Sequence, residues 1–438
     1  MIQQTGRTTG LASLVGLACV TGCGDNLAPP PDASGGHDLT ISLFRRRPFV
    51  DGDTAPAALL AIQDGDGAWT ALAGDGGVYR AHLAAERYGV AIGCRRRESS
   101  SIAVYQRAVA DGVALRAPAC GGDVIELAVA VVHVPEGAVA YVSTPGGADG
   151  GGGDATYVFH DPPGPAELFA SLSDAGGRIT RIHRVPVFDL VAARTINIDF
   201  WLEGAAPEDR SLSVAPAGGE PARVTTSVIR PTGEYALSTG VPIGASASYQ
   251  MLPAALHQPG DLFDVTVEVG ARSAGFTARA PGAIEFELPA ALVAAEPTIA
   301  LAPALHPVFA FQATAATLAI QRYVLHARTS RSPDDAFRDW TAELSAAWAG
   351  DAGAVSYEFP DLSGVAGFSS DFALFAAPVR WSVQRTETTT DEPADGRITR
   401  SVSRTGAIEA YCGDGVVQSP ETCDPPDGAA CSARCEKQ

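Results

Sequence analysis

The chain has 438 residues, a formal net charge of −19 and a hydrophobic fraction of 46%, enough apolar material for several separate cores. A surface this acidic repels phosphate backbones and anionic headgroups, which excludes nucleic acid as a partner. Of 31 basic residues only Lys437 is a lysine, so Schiff-base chemistry, a phosphate-loop lysine and a Ser-Lys dyad are excluded from the body of the chain.

Residues Met1 to Gly22 carry one cation, Arg7, and then an uncharged run of small and apolar residues from Thr8 to Val20. That run is too brief to cross ~30 Å of hydrocarbon, and residues 1–22 read as a signal peptide. It ends Val20-Thr21-Gly22-Cys23, which resembles the bacterial lipobox, whose cysteine is acylated and becomes the mature N-terminus. Cys19 follows Gly16-Leu17-Ala18 and fits the pattern less well. The resemblance implies lipidation at Cys23, a membrane partner held through that lipid, and residence in the cell envelope. Gly24, where a retained lipoprotein would carry aspartate, points to the outer membrane. Residues 23–37, which include GDNLAPPPDASGG, have no hydrophobic periodicity and read as a tether.

Beyond the tether, short runs with apolar residues at every second position are bounded by Gly, Asp and Pro, which predicts a mainly β protein of tandem antiparallel β-sandwich modules. In the first module, 38–120, Leu39, Ile41 and Leu43 share one face, as do Tyr88, Val90, Ile92 and Cys94. Asp64-Gly65-Asp66-Gly67, Asp75-Gly76-Gly77 and Asp111-Gly112 supply residues that tolerate the positive φ of tight hairpins. Residues Ala58 to Cys94, with AIQDGDGAW and VYRAHLAAERYGVAIGC, are similar to the carboxypeptidase-regulatory-like and immunoglobulin-like β modules of secreted bacterial proteins.

The second module, 121–202, aligns Ile125, Leu127, Val129 and Val131. Its loop Pro145 to Asp154, PGGADGGGGD, has almost no side chains to pack and is expected to be mobile. The two aspartates suggest calcium, but the nonapeptide repeat that builds such sites is missing. The third module, 203–297, alternates most cleanly: Phe263, Val265, Val267 and Val269 against Asp264, Thr266 and Glu268, then Ile284, Phe286 and Leu288 against Glu285 and Glu287.

The fourth, 298–411, carries the one predicted helix, near 333–349. Ser332 suits its cap, Pro333 its first turn, Asp334 and Asp335 the positive end of its dipole, and Gly350 its termination. Phe337, Trp340, Leu344 and Trp348 then fall at helical spacing as a core stripe. A hairpin with its turn at Asp391 to Gly396 follows and offers an exposed interaction edge.

Residues 412–438 form a small disulfide-rich tail. Cys412-Gly413-Asp414-Gly415-Val416-Val417-Gln418, then Glu421, Cys423 and Asp424, resemble the cysteine-rich repeat of myxobacterial surface proteins. Ser419-Pro420 and Pro425-Pro426 depart from its Pro-Gly and Asp-Gly. The resemblance covers only the tail and implies an extracytoplasmic disulfide module, with Asp414, Glu421 and Asp424 as conceivable calcium ligands. Eight cysteines are present; without Cys19 and Cys23, six remain for three disulfides, Cys94 with Cys120 and the set Cys412, Cys423, Cys431 and Cys435 in any of three connectivities. The tail cysteines lack paired CxxC knuckles, so disulfides are favoured over zinc.

No HExxH, GxSxG, phosphate-loop or dinucleotide motif occurs. Gly367-Phe368-Ser369-Ser370-Asp371 lacks the second glycine of a nucleophile elbow, and the eight histidines are scattered singly. His160-Asp161 and His183 could meet across strands, and the triplets Arg45–Arg47 and Arg95–Arg97 could form an anion patch, though alternation across exposed strand ends suits them better. The residues therefore predict no catalytic site, metal or cofactor. They suit a non-enzymatic structural or binding lipoprotein at the envelope surface, with other envelope proteins or polysaccharide as partners. A secreted hydrolase with a loop-built site is the alternative. So is a carbohydrate-binding surface protein, which would need exposed aromatics, yet aromatics are 7% of the chain and fall mostly on predicted core faces.

Overall fold

The computed structural model describes residues 36–44, 54–96, 99–120, 124–215, 220–243, 246–300, 306–330, 337–350, 353–374 and 378–408. The calls on Cys23, on Arg45–Arg47, on the helix-start residues Ser332 to Asp335 and on the tail cysteines Cys412, Cys423, Cys431 and Cys435 lie outside them.

The described residues are mainly β and form four successive two-sheet sandwiches. In the first, His37–Phe44 pairs antiparallel with Val78–Leu83 and parallel with Ala114–Pro118. The second repeats the arrangement, with Ile125–Val132 between Ala155–Asp161 and, parallel, Arg194–Asp199. The third does so again, with Glu208–Ala215 between Ser246–Met251 and, parallel, Ile284–Glu287. Each time the opening strand of the unit lies beside its closing strand. That closure is a consequence of topology, since the two run in the same direction only after a whole sandwich has intervened.

The opposite sheets of the first, third and fourth sandwiches join edge to edge into one 12-stranded sheet. Its two seams are Arg272–Ala278 against Arg397–Ile408, antiparallel, and Phe337–Ser345 against Ser99–Ala108, parallel. Joining removes four exposed edges that would otherwise offer unpaired N–H and C=O groups to other chains. Strand Leu59–Asp64 shows the result in its sequence, LLAI. Leu60 and Ile62 pack with Leu39 and Ile41 of the first sandwich, while Leu59 and Ala61 pack with the fourth sandwich's core around Phe359 and Phe372.

Two expectations are corrected. The segment expected to be a helix near 333–349 is the strand Phe337–Ser345, followed by one helical turn, Ala346–Ala349, capped by Ser345, whose hydroxyl accepts from the Trp348 amide. Trp340, Ala342 and Leu344 are buried while Asp339, Thr341 and Glu343 alternate with them, so the segment satisfies period two as well as period 3.6. Two flanking strands waiting for partners, Ile320–Ser330 and Ser99–Ala108, decide the matter. The second correction concerns the glycine-rich loop, in which Gly147–Gly152 is a strand paired with Val139–Thr144. A ladder needs only backbone groups. Here glycine also fits a tight spot, because a Cβ at Gly150 would stand 2.8 Å from the Tyr141 ring.

Gly65 and Gly76 close hairpins as expected, with φ of +58° and +56°; Gly112, at +107°, instead sits in the connection that carries the chain from Ser99–Ala108 in one sheet to Ala114–Pro118 in the other. Cys94 and Cys120 form a disulfide across 26 residues of sequence, tying strand Arg87–Arg96 to the end of Ala114–Pro118 and so one layer of the first sandwich to the other. Replacing both cysteines by alanine should cost about 2–4 kcal/mol. Urea denaturation with and without dithiothreitol checks this: reductant should lower the wild-type midpoint to that of the double variant and leave the latter unmoved.

Candidate binding groove

A groove of about 910 Å³ lies on the outer face of the 12-stranded sheet. Its floor comes from the fourth sandwich, through Arg322, Glu343 and Ser345. One wall is the first sandwich, through Tyr88, Arg107 and Arg116, and the other is the third, through Ile229 and Glu234. The hairpin turn at Asp391, Glu392 and Arg397 closes one end.

Strand register places the central charges. Val324, Glu343 and Tyr105 stand opposite one another on three adjacent strands. Arg322 and Arg107, two residues along on the outer strands, are therefore both diagonal neighbours of Glu343 on the same face. Arg107 donates to Glu343 Oε1, and Arg322 Nε lies 3.2 Å from the same oxygen. Arg322 also pairs with Asp391, and Arg116 Nη1 lies 3.5 Å from Glu392. Asp111 accepts from the Ala108 amide at 2.9 Å, and Glu234 from the Ser227 hydroxyl at 3.0 Å. Arg397 is held by the Thr388 hydroxyl and the Thr390 carbonyl, at 3.1 and 3.2 Å. The Tyr88 hydroxyl donates to the Gly112 carbonyl at 3.0 Å, and burial pushes its pKa up to about 12. The groove thus presents many fixed donors and acceptors whose charges largely cancel, a surface suited to a polar ligand of low net charge.

A second polar cluster is largely buried where the second and third sandwiches meet. Arg184 donates to Asp261 at 2.8 and 3.1 Å, to Glu167 at 3.2 and 3.3 Å and to the Leu256 carbonyl at 2.9 Å. Arg230 lies 3.0 Å from Asp261 and 3.5 Å from Glu167, and donates to the Pro259 carbonyl. Glu167 is 0% and Asp261 4% exposed, so the two carboxylates and Arg184 neutralise one another out of water, with the half-buried Arg230 at the rim of the cluster. The role is structural, fixing the two sandwiches against each other.

The remaining sequence candidates separate. His160 lies on Ala155–Asp161 and His183 on Ile179–Leu190, in different sheets. Asp161 is buried and accepts from the Thr144 hydroxyl at 2.8 Å and from the Gly146 amide. His183 lies 3.5 Å from Glu203, and burial lowers its pKa against the opposing pull of that carboxylate. Ser369 caps the short turn Ser370–Phe372, accepting from the Asp371 amide, and takes a hydrogen bond from Arg95. Arg95 also lies over the Phe372 ring at 5.0 Å. Among the described residues no group of three or more His, Cys, Asp or Glu could hold a metal ion. Nothing in the sequence marked the groove, because Arg107 and Glu343 are 236 residues apart and no local motif joins them.

No protein-family model matches the chain, and no curated protein matches it significantly.

Proposed function

We propose that the protein is an envelope lipoprotein, acylated at Cys23, which acts at the membrane surface as a non-enzymatic binding or structural element. The observation that carries this reading is the Cys94–Cys120 disulfide, a bond that persists in oxidising compartments outside the cytosol. In this reading residues 23–37 are the tether between the lipid and the β sandwiches, which offer a polar groove. Support for a non-enzymatic role is that the groove's carboxylates are engaged by its own arginines, by a hydroxyl or by a backbone amide, which suits holding a ligand more than transferring its protons. No helix among the described residues is long and apolar enough to cross a membrane, so the attachment proposed is the lipid.

Mass spectrometry of the mature N-terminus should find acyl mass on Cys23. Cys23→Ser should move the protein from the membrane fraction to the soluble one, since a chain contributes roughly 0.8 kcal/mol per buried methylene. An unmodified start, or a Cys23→Ser protein that still sediments with membranes, would overturn the anchor. Turnover of an ester, glycan or peptide library, abolished by Glu343→Gln, would overturn the non-enzymatic half.

A further inference from the structure

We propose that Trp201, held flat against His133 at one end of the second sandwich, is a stacking platform for a neutral saccharide. The proposal goes beyond the envelope reading by naming a ligand class and a site remote from the groove.

Strands Ile125–Val132 and Arg194–Asp199 run parallel with Val132 beside Asp199, so the residues that follow each strand emerge at the same end. His133 follows the first and Phe200-Trp201 the second. Phe200 is buried, which leaves its neighbour Trp201 facing out. The turn is pinned by its own backbone: the Leu202 and Glu203 amides donate to the Asp199 carbonyl at 3.0 and 2.8 Å, and the Trp201 amide to Asp199 Oδ1 at 2.9 Å. Trp201 is 69% exposed, yet its indole does not float. The His133 imidazole stacks on it at 4.1 Å with 8° between the planes, and His133 Nδ1 lies 2.8 Å from Asp199 Oδ1.

The backbone is strained to achieve this. His133, at φ +58°, is the one non-glycine residue with positive φ among the described residues. Such a conformation persists only where surroundings over-determine it, here the Asp199 contact and the Val134 amide donating to Asp154 at 2.9 Å. An exposed tryptophan forgoes a large burial gain, and a locked one has already lost the rotamer freedom that a ligand would otherwise have to remove. One indole face is covered by imidazole. The residue as a whole stays exposed nonetheless.

The chemistry at the rim selects the ligand. Beside the flat apolar face stand the imidazole and the Asp199 carboxyl, which the His133 hydrogen bond and neighbouring amides hold below the usual carboxylate range, so it accepts hydrogen bonds at neutral pH. A pyranose ring offers the complement, a face of C–H bonds edged by hydroxyls. A lipid surface fits worse, because the His133–Asp199 pair behind the indole would have to be desolvated and the chain carries a net charge of −19. The same charge disfavours any anionic ligand.

The test uses the full-length Cys23→Ser chain, which needs no sugar-headed detergent, so its outcome does not depend on acylation. Cellohexaose, laminarihexaose, maltohexaose and mannohexaose are titrated by calorimetry, with choline and phosphatidylcholine vesicles as the competing ligands. At least one saccharide should bind and shift an indole resonance that disappears in Trp201→Ala. That variant should keep the wild-type melting temperature and lose roughly tenfold in affinity, about 1.4 kcal/mol, with Trp201→Phe between the two. Binding of no saccharide, wild-type affinity in Trp201→Ala, or Trp201-dependent binding of choline or vesicles in place of sugar would each overturn the proposal.

Discussion

Asp261→Ala is expected to destabilise the protein by about 3–5 kcal/mol, the cost of breaking a buried ion pair and leaving its partner uncompensated. Asp261 takes hydrogen bonds from Arg184 at 2.8 and 3.1 Å and from the Gln258 amide at 2.8 Å, and pairs with Arg230 at 3.0 Å. Without it Glu167 alone faces two guanidinium groups, and the Arg184 side chain is 2% exposed. Arg184 cannot turn to water: it lies 4.9 Å over the Phe169 ring, on a strand paired along its length with Gly164–Ser173. The damage should fall between the second and third sandwiches, where Glu167 also donates its amide to the Tyr235 hydroxyl and Ser171 donates to the Leu237 carbonyl. Guanidinium denaturation should therefore resolve an early transition, and hydrogen exchange should accelerate in strands Gly164–Ser173 and Ala222–Arg230 before the first sandwich is affected. A loss below about 1 kcal/mol would mean that the cluster is hydrated in solution and worth no more than a surface pair.

The second large effect is at Trp340. Its indole is 3% exposed, donates to the Phe372 carbonyl at 2.6 Å and meets the Phe359 ring edge-on at 5.4 Å. Trp340→Ala removes that packing and leaves a cavity, for about 3–5 kcal/mol. Trp340→Phe keeps most of the volume and strands one carbonyl, for about 1–3 kcal/mol. Urea midpoints of the two variants against wild type give the order. Equal losses would assign the site's stability to the hydrogen bond instead of to the ring.

Trp340 also shows where reading by periodicity stops. At positions 337, 340, 344 and 348 the aromatic and leucine residues match a helix, and at 340, 342 and 344 the buried residues match a strand. The local pattern supports both. The strand wins because Glu343 and its neighbours complete hydrogen-bond ladders with Tyr105 on one side and Val324 on the other. The glycine run at 147–152 is the converse case, where absence of side chains hid a backbone that pairs as regularly as any valine strand. Trp201 stands near the close of the second module, 121–202, with nothing local to mark it; its imidazole partner required His133 to be brought alongside by a parallel pairing.

The amino-acid sequence by itself determined what acts at short range: alternating strands such as Phe263 to Val269, and turns at Gly65, Gly76 and Gly112 whose φ only glycine accepts easily. Side-chain alternation and turn chemistry are properties of a few consecutive residues, so they survive without a fold. Which strand pairs with which was decided only in the tertiary structure, because every strand offers the same backbone donors and acceptors and partner choice is a global matter of covering edges and filling cores. The 12-stranded sheet, the Glu343 groove, the Arg184 cluster and the Trp201 platform all arise at such junctions, between residues that no window of sequence contains.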